Sequence, residues 1–330
     1  MLYFELIIFL IFLTFITFLF QQKWIKLMYK KGKVGKDIHK EGKPEVAEMG
    51  GIPLMIMIST FSFFAFYLEP NYYSKYLIII LTALISGIIG IIDDIKDLGG
   101  KIKPTLTLLA SIPILITGSY DPHPSLPFIP KTSLTIVYPF LIPIGIAITS
   151  NAVNMLNVVN GSTPLLVIPI LFTLIFVSLI SNKISLIPLL IACIIALLIF
   201  FYYNKYPAKT FMGNCGDFFI GGLLGAIAIV YSLEFIVVVA MIPLIMHRFF
   251  VISSVKNFLE KKQIKEKPVI IKNGLLYPSL KKEAPLTLMR ICLAEGPLKE
   301  KDVALIFFIL SLASSILAFL TYFLTQIKLA

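Results

Sequence analysis

The chain consists of long apolar runs separated by short polar segments. The runs are close to the ~20 residues that a helix needs to cross a bilayer, and they show no alternation of polar and apolar positions. Because only helices or closed barrels satisfy the backbone hydrogen bonds in lipid, the pattern predicts helices. About ten predicted spans lie near residues 2–20, 50–68, 76–92, 104–118, 134–150, 162–180, 184–201, 217–233, 235–252 and 303–325.

The composition supports this pattern. Hydrophobic residues make up 58% of the 330 residues and charged residues 14%, whereas a soluble domain has about 25% charged residues. Secreted globular, disulfide-scaffold and disordered classes are therefore excluded. We predict an all-α polytopic membrane protein that forms one integral-membrane domain over residues 1–330.

The basic residues predict how the chain crosses the membrane. The net charge of +11 is typical of a positive-inside bias, because Lys and Arg collect in cytoplasmic loops; we expect no nucleic-acid partner. If the first loop is cytoplasmic, all but four of the 29 Lys and Arg residues lie inside. The exceptions are Lys75, Lys131, Lys183 and Lys328. Both termini are then predicted to lie outside.

The loop before the last span is the largest polar segment. We predict that residues 253–302 form a cytoplasmic insertion. The Asn273-Gly274 pair between residues 269–271 and 275–277 indicates a β-hairpin. Residues 285–294 fit a short amphipathic helix at the membrane surface.

Two motifs place polar groups at the inner ends of spans. Asp93 and Asp94 are adjacent carboxylates that are costly to bury, so they are either the solvated start of a loop or acids that work near a cation or phosphate. Lys103 could supply positive charge beside them. The second motif has four asparagines whose amides can coordinate a cation or read a base or sugar. Helix capping and interhelical hydrogen bonds explain one or two of the four more readily than all: Asn151, Asn154, Asn157 and Asn160.

Three further segments carry candidate chemistry. Gly213 and Gly216 flank polar residues at a predicted helix start, where backbone N–H groups favour anions. Asp217, at the edge of the membrane, is a candidate site residue. The first loop contributes Lys40 and Glu48, and the late loop contributes basic residues including Arg248 and Lys265. Most of these lysines are equally well explained as topology determinants.

Taken together, these segments resemble the polyprenyl-phosphate N-acetylhexosamine-1-phosphate transferases. These are ten-span enzymes that move a sugar phosphate from a UDP-sugar to a lipid phosphate. The resemblance runs in order through Met49–Pro53, Asp93-Asp94, Asn151–Asn154 with Asn160-Gly161, and Phe211–Gly213.

Within that family the sequence is most similar to the eukaryotic and archaeal branch that starts N-glycan lipids with GlcNAc. Gly35–Lys40, Ile271–Gly274, and Leu286–Leu288 followed by Glu295–Pro297 carry this similarity. The bacterial peptidoglycan enzyme has a His-rich motif in its late loop, whereas only His247 stands here.

The resemblance implies a role for each candidate residue. Asp93 and Asp94 would be catalytic, at the lipid-phosphate and metal site. Asn154, Asn214 and Asp217 would hold Mg²⁺, with Mn²⁺ as an alternative. The implied substrate-binding residues are Lys40, Glu48, Lys103, Asn151, Asn160, Arg248 and Lys265, with Lys103 and Lys265 at the pyrophosphate.

One position departs from the family pattern. Asn214 stands where the family usually has an Asp magnesium ligand, and Asp217 stands where many members have a small hydroxyl residue. Mg²⁺ prefers charged oxygen ligands. Two amides with the donor's pyrophosphate could suffice to bind Mg²⁺, or Asp217 could supply the carboxylate. We expect the amides and Asp217 to bind the ion together.

The resemblance implies that a dolichyl-type phosphate attacks the UDP-sugar at the cytoplasmic face and that UMP leaves. Direct attack is favoured over a covalent aspartyl intermediate, but the sequence leaves this open. The alternatives are a multispan transporter or flippase, and a related transferase with another UDP-sugar or a cell-wall acceptor. The oligomeric state is also open, with a homodimer as one candidate.

Overall fold

The computed structural model describes residues 2–100, 102–129, 133–255 and 266–327. The described chain is mostly helical, and its long helices coincide with the predicted apolar runs. In chain order the helices are α1 (Leu2–Lys30), α2 (Gly51–Leu68), α3 (Pro70–Lys96), α4 (Ile102–Thr107), α5 (Ile112–Thr117), α6 (Tyr138–Leu156), α7 (Ser162–Ile180), α8 (Ile187–Asn204), α9 (Gly213–Val230), α10 (Glu234–Ala240), α11 (Ile242–Val255), α12 (Leu288–Cys292) and α13 (Glu300–Gln326).

Within those ranges, eight helices are long and apolar enough to span a membrane. The pair α10 and α11 would add a ninth, although it is bent by 67°. Pro243, in the first turn of α11, cannot donate a backbone hydrogen bond across this break. The run predicted near 104–118 forms a shorter apolar helix, Ile102–Thr117. The all-α polytopic architecture is confirmed, while the count of ten spans and the outward termini stay predictions.

Two antiparallel hairpins lie in the described parts of the polar loops. The predicted one is formed by β3 (Val269–Lys272) and β4 (Leu275–Pro278), with Val269 opposite Pro278. Asn273 and Gly274 both have positive φ, as a two-residue turn requires. The first loop contains a second hairpin that the sequence did not indicate; its strands, which we number first in chain order, are β1 (Val34–Lys36) and β2 (Glu45–Ala47).

Helix α9 lies at the centre of the bundle, and every residue from Cys215 to Val230 is buried. Small residues allow neighbouring helices to approach its backbone closely: Gly90 of α3 faces the backbone of Asn214 and Cys215, and Gly221 of α9 faces the backbone of Ser150 in α6. The N-terminus of α9 is therefore held beside the ends of α3 and α6. These are the helix ends that carry the Asp93-Asp94 and asparagine motifs.

Candidate active site

Asp94 joins the end of α3 to the start of α9. Its Oδ1 accepts a hydrogen bond from the backbone N–H of Asn214 at 2.9 Å, and its Oδ2 accepts one from Cys215 at 3.0 Å. The first N–H groups of a helix lack partners within the helix and carry partial positive charge, so they stabilise a carboxylate. Gly213 has a φ of +77°, and an added Cβ would lie 2.8 Å from Asp94 Oδ2. This close approach explains the glycine.

Asp93 has different partners, because adjacent helical positions point about 100° apart. Its buried carboxylate lies 2.8 Å from Lys103 Nζ, and Oδ1 accepts a hydrogen bond from the backbone N–H of Leu98 at 2.8 Å. A buried carboxylate needs such compensation for the water that it loses. Lys103, predicted to bind pyrophosphate, is thus the ion-pair partner of Asp93.

A pair of asparagine side chains connects Asp94 and the start of α9 to the end of α6. Asn154 Nδ2 donates to Asn214 Oδ1 at 2.6 Å, and Asn214 donates its backbone N–H to Asp94. Both asparagines are partly exposed. The structure therefore brings two candidate metal ligands and one candidate catalytic acid into direct contact.

Asp217 lies one turn further along α9 and is only 2% exposed. Its Oδ2 accepts a hydrogen bond from Asn157 Nδ2, and its Oδ1 accepts one from Thr163 Oγ1, each at 2.8 Å. These contacts anchor the segment Asn157–Gly161, which joins α6 to α7 and which we call the asparagine turn. Ser162 Oγ also donates to Asn157 Oδ1 at 3.1 Å.

The first loop closes on the asparagine turn. Asn160 Oδ1 accepts hydrogen bonds from Lys40 Nζ at 2.6 Å and from the backbone N–H of Ala208 at 2.9 Å. Asn160 Nδ2 donates to Asp37 Oδ2 at 3.2 Å, and Lys40 also pairs with Asp37. The structure thus brings together Lys40 and Asn160, two predicted substrate-binding residues.

Three more predicted substrate-binding residues have contacts of their own. The side chain of Glu48 packs against Gly35 in the first-loop hairpin. Asn151 is buried, and its side-chain amide donates an interhelical hydrogen bond to Thr107 Oγ1 at 3.1 Å. Arg248 of α11 contacts the sulfur of Met155. The remaining residue, Lys265, lies outside the described residues.

Sequence reasoning did not assign a role to three polar residues that complete this region: Asp37, Thr163 and Glu300. Glu300 accepts a hydrogen bond from the backbone N–H of Asn160 at 2.8 Å. A signal was available, because Glu300 is an acid at the edge of an apolar run, the criterion that singled out Asp217.

An apolar groove of about 460 Å³ begins beside the cluster, between α4, α6 and α11. Its apolar wall includes Ile144 and Phe249, which are 48% and 61% exposed on the outside of the bundle. Asn151, Thr105 and Arg248 supply its polar positions. The groove therefore runs from a lipid-facing surface towards the helix segments that carry Lys103 and Asn154.

The site offers amide and carboxylate oxygens, which are the ligands that a hard cation prefers. Among the residues that the structure describes, no three His, Cys, Asp or Glu side chains stand close enough to form a protein-only metal cage. Mg²⁺ rarely uses such cages; it takes one or two carboxylates and completes its shell with phosphates and water. The amide oxygens of Asn154 and Asn214 and the nearby carboxylates of Asp94 and Asp217 fit that requirement.

Comparison with known proteins identifies the family of this chain. The model of glycosyl transferase family 4 matches residues 76–232. The chain is 32% identical over 287 residues to a Saccharolobus solfataricus protein provisionally named UDP-N-acetylglucosamine–dolichyl-phosphate N-acetylglucosaminephosphotransferase, covering 86% of each chain. A protein of the same provisional name from Sulfolobus acidocaldarius is 34% identical over 64% of this chain and 67% of its own.

A bacterial relative is also similar. The phospho-N-acetylmuramoyl-pentapeptide-transferase of Petrotoga mobilis is 32% identical over 73% of this chain and 79% of its own length. The family model includes the Asp93-Asp94 motif, the asparagine turn and Asp217. The chain therefore belongs to glycosyl transferase family 4, the family of polyprenyl-phosphate N-acetylhexosamine-1-phosphate transferases.

Proposed function

We propose that this protein transfers a HexNAc-1-phosphate, specifically GlcNAc-1-phosphate, from a UDP-sugar to a dolichyl-type polyprenyl phosphate and releases UMP. The reaction would take place at the cytoplasmic face and begin the synthesis of a lipid-linked oligosaccharide for N-glycans. The names of the two archaeal relatives support this choice of substrates. The observation that carries the proposal is the contact chain Asp94–Asn214–Asn154, which joins three helix ends beside a lipid-facing groove.

The donor would lie across the cluster. Its pyrophosphate would meet the ammonium of Lys103, whose side chain is a quarter exposed while its partner Asp93 is buried. Its nucleoside end would lie along the asparagine turn and the first loop, where amides and backbone groups can read a base. A bound Mg²⁺, held by Asn154 and Asn214 with a nearby carboxylate, would supply charge neutralisation for the phosphates.

The acceptor would occupy the groove between α4, α6 and α11. Its polyprenyl chain would pack on the apolar wall, and its phosphate would reach the polar positions at Asn151 and Arg248. Asn151 lies on α6 one turn before Asn154, and the α4 wall of the groove directly follows Lys103, so the acceptor phosphate would arrive beside the donor. Because lipid tails are as apolar as this wall, the wall would position the chain by van der Waals packing and not by a hydrophobic driving force.

The reaction would be a direct displacement. An oxygen of the lipid phosphate attacks the β-phosphorus of the donor; the bond from this phosphorus to the bridging oxygen breaks, and UMP leaves with the electron pair. Phosphoryl transfer depends mainly on positioning and charge stabilisation. Asp93 would hold the ammonium group of Lys103 in place through their ion pair. Asp94 would orient the start of α9, and either acid could accept a proton from an incoming lipid phosphate.

A transporter is the competing class of function. Transporters built from repeats place their polar sites near the bilayer midplane, at broken helices. In this protein, the acids and amides of the described cluster lie at helix ends: Asp93 and Asp94 at the end of α3, Asn154 at the end of α6 and Asn214 at the start of α9. This distribution favours the transferase.

One assay tests the proposal. Purified protein is incubated with dolichyl phosphate, Mg²⁺ and a panel of UDP-sugars, and both UMP and lipid-diphospho-sugar are measured. We expect UMP release with UDP-GlcNAc that requires the lipid phosphate. UMP release only with a UDP-linked muramyl peptide would replace the substrate assignment. Lipid translocation in proteoliposomes without UMP release would support the transporter instead.

A further inference from the structure

Glu300 is a buried acid that the proposed reaction does not yet use. It is the first residue of α13, is 4% exposed, and points away from its own helix. Its Oε1 accepts the backbone N–H of Asn160 at 2.8 Å, and its Oε2 lies 3.8 Å from Lys40 Nζ. Burying a carboxylate is costly unless it is paired and hydrogen-bonded. The last helix therefore places a buried carboxyl group against the first loop and the asparagine turn.

The start of α13 does not need Glu300 for its own stability. Asp302, two residues on, accepts the backbone N–H of Lys299 at 3.3 Å and provides an acid in the first turn. Those are the two usual contributions of an acid at a helix start. The partners of Glu300 lie 140 positions or more away in the sequence. Its contacts therefore serve the assembly of distant segments.

The hydrogen-bonding capacity of this network is nearly used up. A side-chain amide offers two donors and two acceptor lone pairs. Asn160 Oδ1 accepts from Lys40 and Ala208, and Nδ2 donates one hydrogen to Asp37. Lys40 is also held over the ring of Tyr206, 4.7 Å from its centroid. Among the described residues, these contacts use all but one hydrogen of the buried Asn160 amide and fix the direction of its side chain.

We propose that Glu300 is a positioning residue for the donor: it fixes Asn160 and Lys40 so that the asparagine turn receives the nucleoside end of the UDP-sugar. This inference rests on the proposed function, which places the nucleoside there. Three residues before Asn160, Asn157 contacts Asp217, a candidate Mg²⁺ ligand. A shift of the turn at Asn160 would therefore disturb donor binding first and the reacting groups only secondarily.

The test compares Glu300→Ala and Glu300→Gln with the matched control Asp302→Asn, which removes a charge from the same helix turn. UMP affinity is measured by calorimetry, together with the KM for UDP-GlcNAc, the KM for dolichyl phosphate, and kcat. Losing a hydrogen bond to a charged group should weaken UMP binding and raise the donor KM about tenfold in Glu300→Ala. Glu300→Gln, which keeps an acceptor oxygen, should show a smaller rise. The lipid KM, kcat at saturating donor and all values for Asp302→Asn should change by less than about threefold.

A double-mutant cycle separates positioning from general stabilisation. If Glu300 acts through Lys40, the effects of Glu300→Gln and Lys40→Met on UMP affinity will not be additive. Melting temperatures identify a variant that fails to fold. If Glu300→Ala fails to fold, the UMP affinity of the folded Glu300→Gln protein tests the inference. Wild-type UMP affinity in the folded Glu300 variants overturns the inference and leaves the transferase intact. If the wild-type protein neither binds nor releases UMP, the proposed function fails and the inference falls with it.

Discussion

Asp93 and Asp94 are neighbours in the chain, but their charges are balanced in different ways. Asp93 is neutralised by Lys103, whereas Asp94 is stabilised by two backbone N–H groups at the start of α9. The first arrangement positions the ammonium group of Lys103, and the second fixes the position of Asn214. Removing either charge should therefore damage the site by a different route.

We predict that Asp93→Asn and Asp94→Asn each lower the rate of UMP release by about 10²-fold or more, a typical effect of losing an acid that acts on the reacting groups. Exposed Asp97, at the left-handed end of α3, supplies the control, because Asn tolerates that conformation. Asp97→Asn should keep wild-type rates. Wild-type rates in both Asp93→Asn and Asp94→Asn, with normal yield of folded protein, would contradict the catalytic assignment.

Asn214 allows a prediction of increased metal affinity. A carboxylate at this position could still accept the hydrogen bond from Asn154 and would add a charge at the proposed cation site. Asn214→Asp should lower the Mg²⁺ concentration for half-maximal activity by roughly tenfold, since affinity rises with ligand charge. A magnesium titration of UMP release measures this. An unchanged titration curve would show that Asn214 does not bind the cation.

Removing the carboxylate of Asp217 should have the opposite effect on the Mg²⁺ requirement. Asp217→Ala leaves the partly buried donor of Asn157 and the buried donor of Thr163 without their acceptor, and the buried donor alone should cost about 1–3 kcal/mol. We expect a lower melting temperature, lower activity and a higher Mg²⁺ requirement. Unchanged kinetics in the folded variant would remove Asp217 from the site.

At the scale of elements, the site depends on how closely α3 approaches α9. A Cβ added at Gly90 would lie 2.6 Å from the Cα of Cys215, closer than real contacts allow. The collision is with backbone, which cannot turn aside as a side chain can. The separation of these two helices sets the distance from Asp94 to the start of α9.

Gly90→Ala should therefore lower both the melting temperature and UMP release, with a cost of about 1–3 kcal/mol for overpacking. Gly145→Ala in α6 is the matched control, because a Cβ there meets nothing within 4 Å. The control should be neutral or slightly stabilising, as alanine favours helix. Equal behaviour of the two variants would show that close packing at Gly90 is not required.

The first loop should make stability depend on pH. Burial lowers the pKa of His39, opposed by Asp37 and by a hydrogen bond with the backbone of Val158, while Lys40 and Lys267 lower it further. The unfolded chain then binds protons more readily than the folded one, so stability falls as the pH drops from about 7 to about 5. Melting temperatures should fall more over this range in the wild-type protein than in His39→Gln. Parallel curves would contradict this.

The elements differ in how far the sequence predicts them. Apolar runs predict the long helices because a bilayer demands length and hydrophobicity, and the Asn273-Gly274 turn predicts one hairpin. The β1–β2 hairpin escaped prediction because its strands have three residues each and no characteristic turn. The contacts of Asp94 with Asn214, and of Glu300 with Asn160, bridge 120 and 140 positions; they follow from helix packing, which local patterns do not encode.

On the scale of the whole molecule, charge is arranged along the central helix. Asp94 lies at the N-terminus of α9, and Lys183 donates to the carbonyl oxygens of Tyr231 and Ser232 just after its C-terminus. Both charges complement the helix dipole. Because α9 is buried along its length, these end contacts fix its position relative to the bundle, with the acid–amide cluster at one end only.

Chemical labelling tests the predicted orientation of that end. In a Cys292→Ser background, Lys36→Cys and His123→Cys each place a thiol at an exposed position, while Cys193 and Cys215 are buried. A membrane-impermeant maleimide should label His123→Cys on intact cells and Lys36→Cys only after permeabilisation. The reverse result would place the acids and amides of the site on the outer side of the membrane and would exclude a cytoplasmic UDP-sugar as the donor.

The groove between α4, α6 and α11 has a kinetic consequence. A polyprenyl tail that binds this groove from the side, as proposed, would stay within the two-dimensional fluid in which it diffuses, so the enzyme would experience the acceptor as a mole fraction of the surrounding lipid. Diluting the acceptor with inert phospholipid would then slow turnover even when its amount per volume of suspension is unchanged. Flux through this step would be governed by the local crowding of carrier molecules in the leaflet.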